Sequence, residues 1–342
     1  MPAITFKPKQ VIKRLLAPLS PRALDVMVKR YGLGEGTDRM TLEGIGGTYG
    51  ITRERVRQIE NFALATIKKS DVFKKEEAVF AELHELVVSM GGVVCEEDFL
   101  MHLSKDVSTQ NHIYFLLVLG DEFKREKEDM NFKHRWIVDD KTSMKVHEAL
   151  QKLFQSLSNE DLIPEGEIVA AFLDHLKEVG DTYKNEEVIK RWLALSKTIA
   201  KNPLGEWGVS HSPNVNARGM RDYAYLIIRK HGSPMHFTEV AKAISQVFGK
   251  KAHVATCHNE LIKDSRFVLV GRGLYALSSW GYEKGVVKDV IVKVLKKEGP
   301  LTKKEIIDRV LKERYVKENT VFVNLQDPKL FKKTKEGKYA IA

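Results

Sequence analysis

The chain has 342 residues, 56 Lys and Arg against 46 Asp and Glu, and a formal net charge of +10. Its 43% hydrophobic and 30% charged content is that of a folded globular chain rather than a disordered one. At roughly 100–200 residues per domain, the length fits two or three domains. No apolar run reaches the ~18 residues of a membrane helix; the longest is Ile113–Gly120. Two cysteines, Cys95 and Cys257, are too few for a disulfide framework or a four-thiolate zinc site. The opening Met-Pro-Ala-Ile-Thr-Phe-Lys lacks the apolar stretch and cleavage site of an export signal. A cytoplasmic, nucleoid-associated protein is the expectation.

Charge is unevenly spread. Residues 1–70 carry +7, residues 71–140 carry −8, residues 141–210 carry −2 and residues 211–342 carry +13. Basic ends attract phosphate backbones through counterion release. The acidic middle is better suited to a scaffold or a protein contact.

In chain order, Ser20-Pro21 is a helix start signal, and the helix it opens should carry Leu24, Val28 and Tyr31 on one stripe before Gly32 and Gly34 end it. Thr41 begins a short helix, Leu42–Tyr49. Gly50 breaks it, and Thr52 caps a longer helix running to about Lys69. A helix, a sharp glycine turn and a second helix make a helix-turn-helix. Gly46 sits where the two helices touch, Gly50 supplies a turn that is cheap only without a Cβ, and Ile45, Tyr49, Ile51, Val56 and Ile59 face a shared core. Thr52 is placed to cap the amide three residues on.

The leading half of the second helix then presents Arg53, Glu54, Arg55, Arg57 and Gln58. Arg pairs with the guanine O6/N7 edge, Gln with adenine, and Glu accepts from cytosine N4. A recognition helix enters the major groove by its N-terminal residues, where these lie. Arg53 and Arg57, like charges one turn apart, favour an anion in front of them.

From Lys74 a weak repeat of helices followed by a hairpin appears. The aromatic anchors Trp136, Trp207, Tyr275 and Tyr339 end successive units, spaced 71, 68 and 64 residues apart. Helices followed by a two-stranded wing make a winged-helix pattern. The third hairpin is the clearest, Phe267–Val270 and Leu274–Leu277 around the loop Gly271-Arg-Gly273. Arg272 at its tip is a candidate DNA contact. The final unit carries Lys296, Lys297, Lys303, Lys304, Lys332, Lys333, Lys335 and Lys338, point charges that favour phosphate without base specificity.

The expected fold is mainly α, with tandem helix-turn-helix and winged-helix modules and short β-hairpin wings. Its modules are residues 1–73 (helix-turn-helix), 74–140 (winged-helix-like, acidic), 141–209 (winged-helix-like), a polar linker at 210–219, 220–283 (winged helix) and 284–342 (basic, winged-helix-like). Trp136, Trp192, Trp207 and Trp280 read as core anchors. Glu96-Glu97-Asp98 and Asp139-Asp140 read as helix caps or loop flanks. His253, Cys257 and His258 read as an ordinary polar helix rather than a metal site. No Walker sequence, Gly-x-Ser-x-Gly elbow or His-Glu-x-x-His occurs. No enzyme activity, catalytic residue, cofactor, metal or small-molecule substrate is therefore expected, and no membrane partner.

Arg22–Ser70, above all Thr41-Leu-Glu43 and Thr52-Arg-Glu-Arg-Val-Arg-Gln-Ile-Glu60, resembles region 4 of the primary bacterial sigma factors. The resemblance implies that Thr52, Arg53, Glu54, Arg55, Arg57 and Gln58 form the DNA-contacting edge for the upstream (−35) promoter element. It also implies RNA polymerase, through the flap of its β subunit, as a partner beside double-stranded DNA. No stretch of this sequence resembles region 2 of those factors. Met220–Tyr282 is similar to the HARE-type winged helix, found in the delta subunit of bacterial RNA polymerase and in some restriction and chromatin proteins. That likeness rests on Arg221-Asp-Tyr-Ala-Tyr-Leu-Ile-Ile, Gly232-Ser-Pro-Met-His-Phe-Thr-Glu-Val-Ala and Ser265-Arg-Phe-Val-Leu-Val-Gly-Arg-Gly-Leu-Tyr-Ala-Leu. It places Phe267, Leu269, Tyr275 and Leu277 in a core and implies binding of DNA or a polymerase-associated partner. The functional expectation is a DNA-binding transcription protein acting with RNA polymerase in initiation or its regulation. The alternative is a polymerase-binding or scaffold protein whose modules mainly make protein contacts.

Overall fold

The computed structural model describes residues 4–36, 38–176, 185–282 and 285–342. The chain divides into two compact units, Met1–Ala200 and Lys201–Ala342.

In the first unit, α1 (Pro8–Leu16) and α2 (Pro21–Tyr31) both start with proline in the first turn, where its missing N–H costs nothing. Gly32, in the left-handed region at φ 61°, ends α2. The buried stripe of α2 is Ala23, Val26, Met27 and Tyr31, so the expected Leu24, Val28, Tyr31 stripe is corrected by part of a turn; Leu24 is exposed. The reason is that α2 packs on two sides, Val26 toward α3 (Leu42–Tyr49) and α4 (Arg53–Lys69), and Met27 and Tyr31 toward a larger core.

That larger core continues through α5 (Asp71–Lys75), α6 (Glu77–Ser89), β1 (Val93–Cys95), α7 (Glu96–Leu103), α8 (Val107–Leu119), β2 (Lys124–Glu126) and β3 (Arg135–Ile137). The strands form an antiparallel sheet in the order β1-β3-β2, with Trp136 opposite both Val94 and Arg125. Leu15, Met27, Ala63, Ile67, Leu83, Phe99, Phe115, Leu116 and Trp136 all belong to one buried cluster. Residues 1–73 and 74–140 thus share a core instead of each closing its own. Ala63 and Ile67 of α4 need that outside cover, because the small cluster of Val26, Ile45 and Val56 does not reach them. The unit continues with α9 (Asp140–Ser156), α10 (Glu165–His175) and α11 (Glu186–Leu193). Asp139 caps α9 by accepting from the amides of Lys141 and Thr142, and Glu96 to Asp98 fill the first turn of α7, as acidic residues at helix starts should. The pair β4 (Ile199–Lys201) and β5 (Trp207–Val209) follows, and the division between the units falls within β4.

The second unit contains α12 (Met220–His231), β6 (Met235–His236), α13 (Phe237–Phe248), α14 (Val254–Lys263), β7 (Phe267–Gly271) and β8 (Leu274–Leu277), with sheet order β6-β8-β7. Next come α15 (Val287–Glu298), α16 (Lys303–Glu313), α17 (Glu318–Leu325) and the antiparallel pair β9 (Phe331–Lys333) and β10 (Tyr339–Ile341). The two helix-helix-helix-hairpin sets bury separate cores, one around Ile228, Ile244 and Tyr275 and one around Ile291, Ile306 and Phe331.

Three expectations need correction here. Leu269 points outward at 51% exposure, while its strand neighbours Val268 and Val270 are buried in a second small cluster and Phe267 in the main core. Trp280 is only half-buried. Residues 210–219 do not run free: Ser212, Asn214 and Val215 are buried, and Asn214 Oδ1 accepts a 3.4 Å bond from Arg266. Arg266 also holds Asp222 at 2.9 Å and Asp264 at 2.7 Å, which ties the segment to the winged helix that follows it. His258 stacks on Phe237 at 4.2 Å beside the buried Cys257, a packing role. Among the described residues no helix is long and apolar enough to cross a membrane, and no group of three or more His, Cys, Asp or Glu is placed to hold a metal ion.

Candidate nucleic-acid interface

The turn between α3 and α4 is built from glycine and threonine. Thr41 caps α3 by accepting from the Gly44 amide at 3.1 Å, and Thr52 caps α4 by accepting from the Arg55 amide at 3.2 Å. Gly50 has φ 62°, where an L side chain is strained, and its amide bonds the Gly46 carbonyl. A Cβ on Gly46 would lie 2.6 Å from the Ile51 carbonyl oxygen, so the two helices meet over a bare backbone. Val26, Ile45 and Val56 close the space beneath, with Tyr49, Ile51 and Ile59 at its edge.

This core leaves the leading edge of α4 in solvent. Thr52, Arg53, Glu54, Arg55, Arg57 and Gln58 are all exposed, and only Val56 among them points inward. Arg57 makes a two-pronged contact with Glu54, at 2.9 and 2.7 Å, and Arg55 bonds Gln58 at 3.0 Å. The hydrogen bond from Arg57 holds the Glu54 carboxyl below the usual carboxylate range and raises the Arg57 guanidinium in return. Arg57 is thus neutralised along the helix by Glu54, a partner that the like-charge view of Arg53 and Arg57 overlooks. Both side chains are more than half exposed, at 53% and 57%, so the pair opens toward a base at little cost.

Arg272 lies in the second unit, on the exposed turn joining β7 and β8. The turn proper is Arg272-Gly273, shorter than the expected three-residue loop, because β7 runs on through Gly271 after an irregularity in register. The wing is also tied down. Tyr315 donates to the Val270 carbonyl at 2.9 Å, and Arg314 reaches the carbonyls of Leu269 and Gly285. Arg272 borders a cleft of about 630 Å³ there, together with Tyr315, Lys317 and Thr320. Of the C-terminal lysines singled out above, all but the half-buried Lys338 are exposed.

Sequence reasoning missed the contacts that brace the helix-turn-helix from behind. Arg39 donates to Asn111 Oδ1 at 2.7 Å, and its guanidinium lies 3.9 Å from the centre of the Tyr114 ring. The signal that could have found them was the apolar run Ile113–Gly120, which marks a helix covered on more than one side.

Known proteins match the same two stretches. Residues 15–69 match the family model for Sigma-70, region 4, and residues 218–280 match that for HARE-HTH, the HTH domain of ASXL and restriction endonuclease type. Both are DNA-binding domain types. More particularly, the N-terminal stretch is sigma-like: it is 39% identical over 66 residues to RNA polymerase principal sigma factor HrdD of Streptomyces coelicolor, covering 19% of this chain and 20% of that one. It is also 45% identical over 60 residues to RNA polymerase sigma factor SigA of Nostoc (18% and 15%), and 40% identical over 67 residues to SigA of Clostridium acetobutylicum (20% and 18%). The chain spans about a fifth or less of the length of these relatives.

Proposed function

We propose that this protein binds double-stranded DNA with sequence preference through Thr52, Arg53, Glu54, Arg55, Arg57 and Gln58, and acts with RNA polymerase in transcription initiation or its regulation. The observation that carries the reading is the solvent-facing arginine edge of α4, held on a capped turn in a stretch that matches sigma region 4. Residues 220–283 and 284–342 add contacts from their basic surfaces, including Arg272, mainly to phosphates. The acidic modules 74–140 and 141–209 support the assembly without touching DNA. The polymerase partner follows from the names of the relatives, and the β flap as its contact from the resemblance to their region 4. That contact has to use surface that α8 leaves open. No catalytic role is proposed, and the setting is the cytoplasm, at the nucleoid.

The test is selection of bound DNA from a random pool, followed by titration of the selected site with wild type and Arg57→Ala. The substitution should cost about 1–3 kcal/mol at one base position and relax the preference there. Equal binding by the variant removes Arg57 from the interface. Affinity should fall steeply between low and moderate salt. Salt-insensitive capture of RNA polymerase with no selected DNA would instead favour the scaffold reading.

A further inference from the structure

The acidic module 74–140 has a helix-turn-helix layout of its own, α7 followed by α8, and in such a pair the second helix is the one that ordinarily enters a groove. Here that helix is spent inside the protein. Asn111, His112, Ile113, Phe115, Leu116, Leu117 and Leu119 of α8 are buried. The corresponding helix of the next module, α11, is also turned inward: a Cβ on Gly91, beside β1, would lie 2.7 Å from Val188 of α11. In the second unit the equivalent helices stay open, α14 burying only Cys257 and Leu261, and α17 only Val321 and Leu325.

What α8 grips is the connection that leads into α3. Asn111 Nδ2 donates to the Gly32 carbonyl at 3.1 Å, where α2 ends, while its Oδ1 takes the 2.7 Å bond from Arg39. Tyr114 carries Arg39 on its ring at 3.9 Å and Arg125 at 5.4 Å, and Arg125 is itself held by two bonds to Glu96, at 2.6 and 2.9 Å. Tyr31 of α2 packs on Phe115 with ring centres 4.7 Å apart. From Arg39 the chain passes to Met40, whose carbonyl accepts a 3.0 Å bond from Arg30, and then to Thr41, the cap of α3. Arg30 in turn bonds Glu60 of α4 at 3.2 Å. Both ends of the α2–α3 connection are thereby pinned to α8, and through Arg30 and Glu60 the same connection sets α4.

We propose that α8 serves as the positioning element for the DNA-reading edge of α4, with Asn111 and Tyr114 acting through Arg39 as positioning residues. The acidic module is then a bracket and not a second reading head. The inference rests on the DNA-binding function proposed above, and the experiment separates the two. Arg39→Met, Tyr114→Leu and Tyr114→Phe are titrated against a site selected by the wild type and against a scrambled duplex. Amide exchange is followed at residues 41–46 and along α4.

Arg39→Met and Tyr114→Leu should weaken cognate binding about tenfold, the size of one lost two-pronged base contact, and leave scrambled binding and the salt slope unchanged. A lost phosphate contact would flatten that slope, so the slope separates positioning from direct contact by Arg39. Tyr114→Phe, which keeps the ring under the guanidinium, should behave as wild type. Wild-type cognate binding by Arg39→Met, a change at an exposed residue that leaves the core intact, overturns the proposal even if Tyr114→Leu fails to fold. If the wild type itself shows no preference for any duplex, the DNA reading fails. The bracket is then judged on exchange alone: faster exchange at 41–46 in Arg39→Met supports it, and unchanged exchange overturns it.

Discussion

His147 of α9 lies against Phe132 with ring centres 4.3 Å apart, and the Arg135 guanidinium sits over the same Phe132 ring at 5.1 Å. Burial, followed by the nearby Arg135 charge, pushes the His147 pKa down from 6.5 to about 4. Between those values the unfolded chain binds a proton that the folded chain refuses, so stability is complete above pH 6.5 and falls as the pH drops toward 4. The loss is on the order of 1–2 kcal/mol, since partial access of solvent screens the effect. Urea unfolding at pH 7.5 and 4.5 should therefore give a smaller acid-induced drop for His147→Leu than for wild type. An equal drop in both would place the acid sensitivity elsewhere. Nothing in the sequence singles out this histidine, because its environment is assembled from β3 and the preceding loop, not from its own helix.

At the scale of elements, the turn between α3 and α4 makes a contrast between two glycines. Gly50 needs glycine for its backbone angle, with nothing within 4 Å of a Cβ there. Gly50→Ala should cost about 1–2 kcal/mol, the left-handed penalty alone, and leave the geometry of α4 intact. Gly46 has ordinary helical angles but faces the Ile51 carbonyl, so Gly46→Ala should drive the helices apart, costing about 1–3 kcal/mol as overpacking does. It should also weaken cognate DNA binding more than Gly50→Ala at equal stability. Thermal melts and titrations of the two variants check this, and equal binding losses would contradict it. These glycines, Thr41 and Thr52 were legible in the sequence because a tight turn demands particular residue types at fixed offsets. The burial of Ile45, Val56 and Ile59 followed from helical spacing, as did the order of helices and hairpins from the repeat. The inward stripe of α2, the outward Leu269 and the Glu54–Arg57 pair were not legible. Each depends on which neighbour lies across the gap, and periodicity carries only the fact of burial, not its direction.

For the molecule as a whole, the decisive feature is that residues 1–73 do not close their own core. Ala23, Met27, Tyr31, Ala63 and Ile67 of the helix-turn-helix lie in one cluster with Phe80, Leu83, Phe115 and Leu116 of the acidic module. A helix such as α8, apolar on every side, is stable only when enclosed, and the sigma-like helices supply one of its walls. Module boundaries drawn from repeats therefore differ from the boundaries of cooperative folding, and residues 4–138 should open as one unit. Leu116→Ala tests this because Leu116 is fully buried, distant in sequence from α4, and away from the exposed arginine edge. The cavity should cost about 2–5 kcal/mol. Amide exchange along α2 and the second half of α4 should quicken by the same factor as exchange along α6 and α8, since one opening event exposes them all. If α4 keeps wild-type protection while α8 loses it, the helix-turn-helix folds on its own, and the bracket is a docked neighbour instead of part of its core.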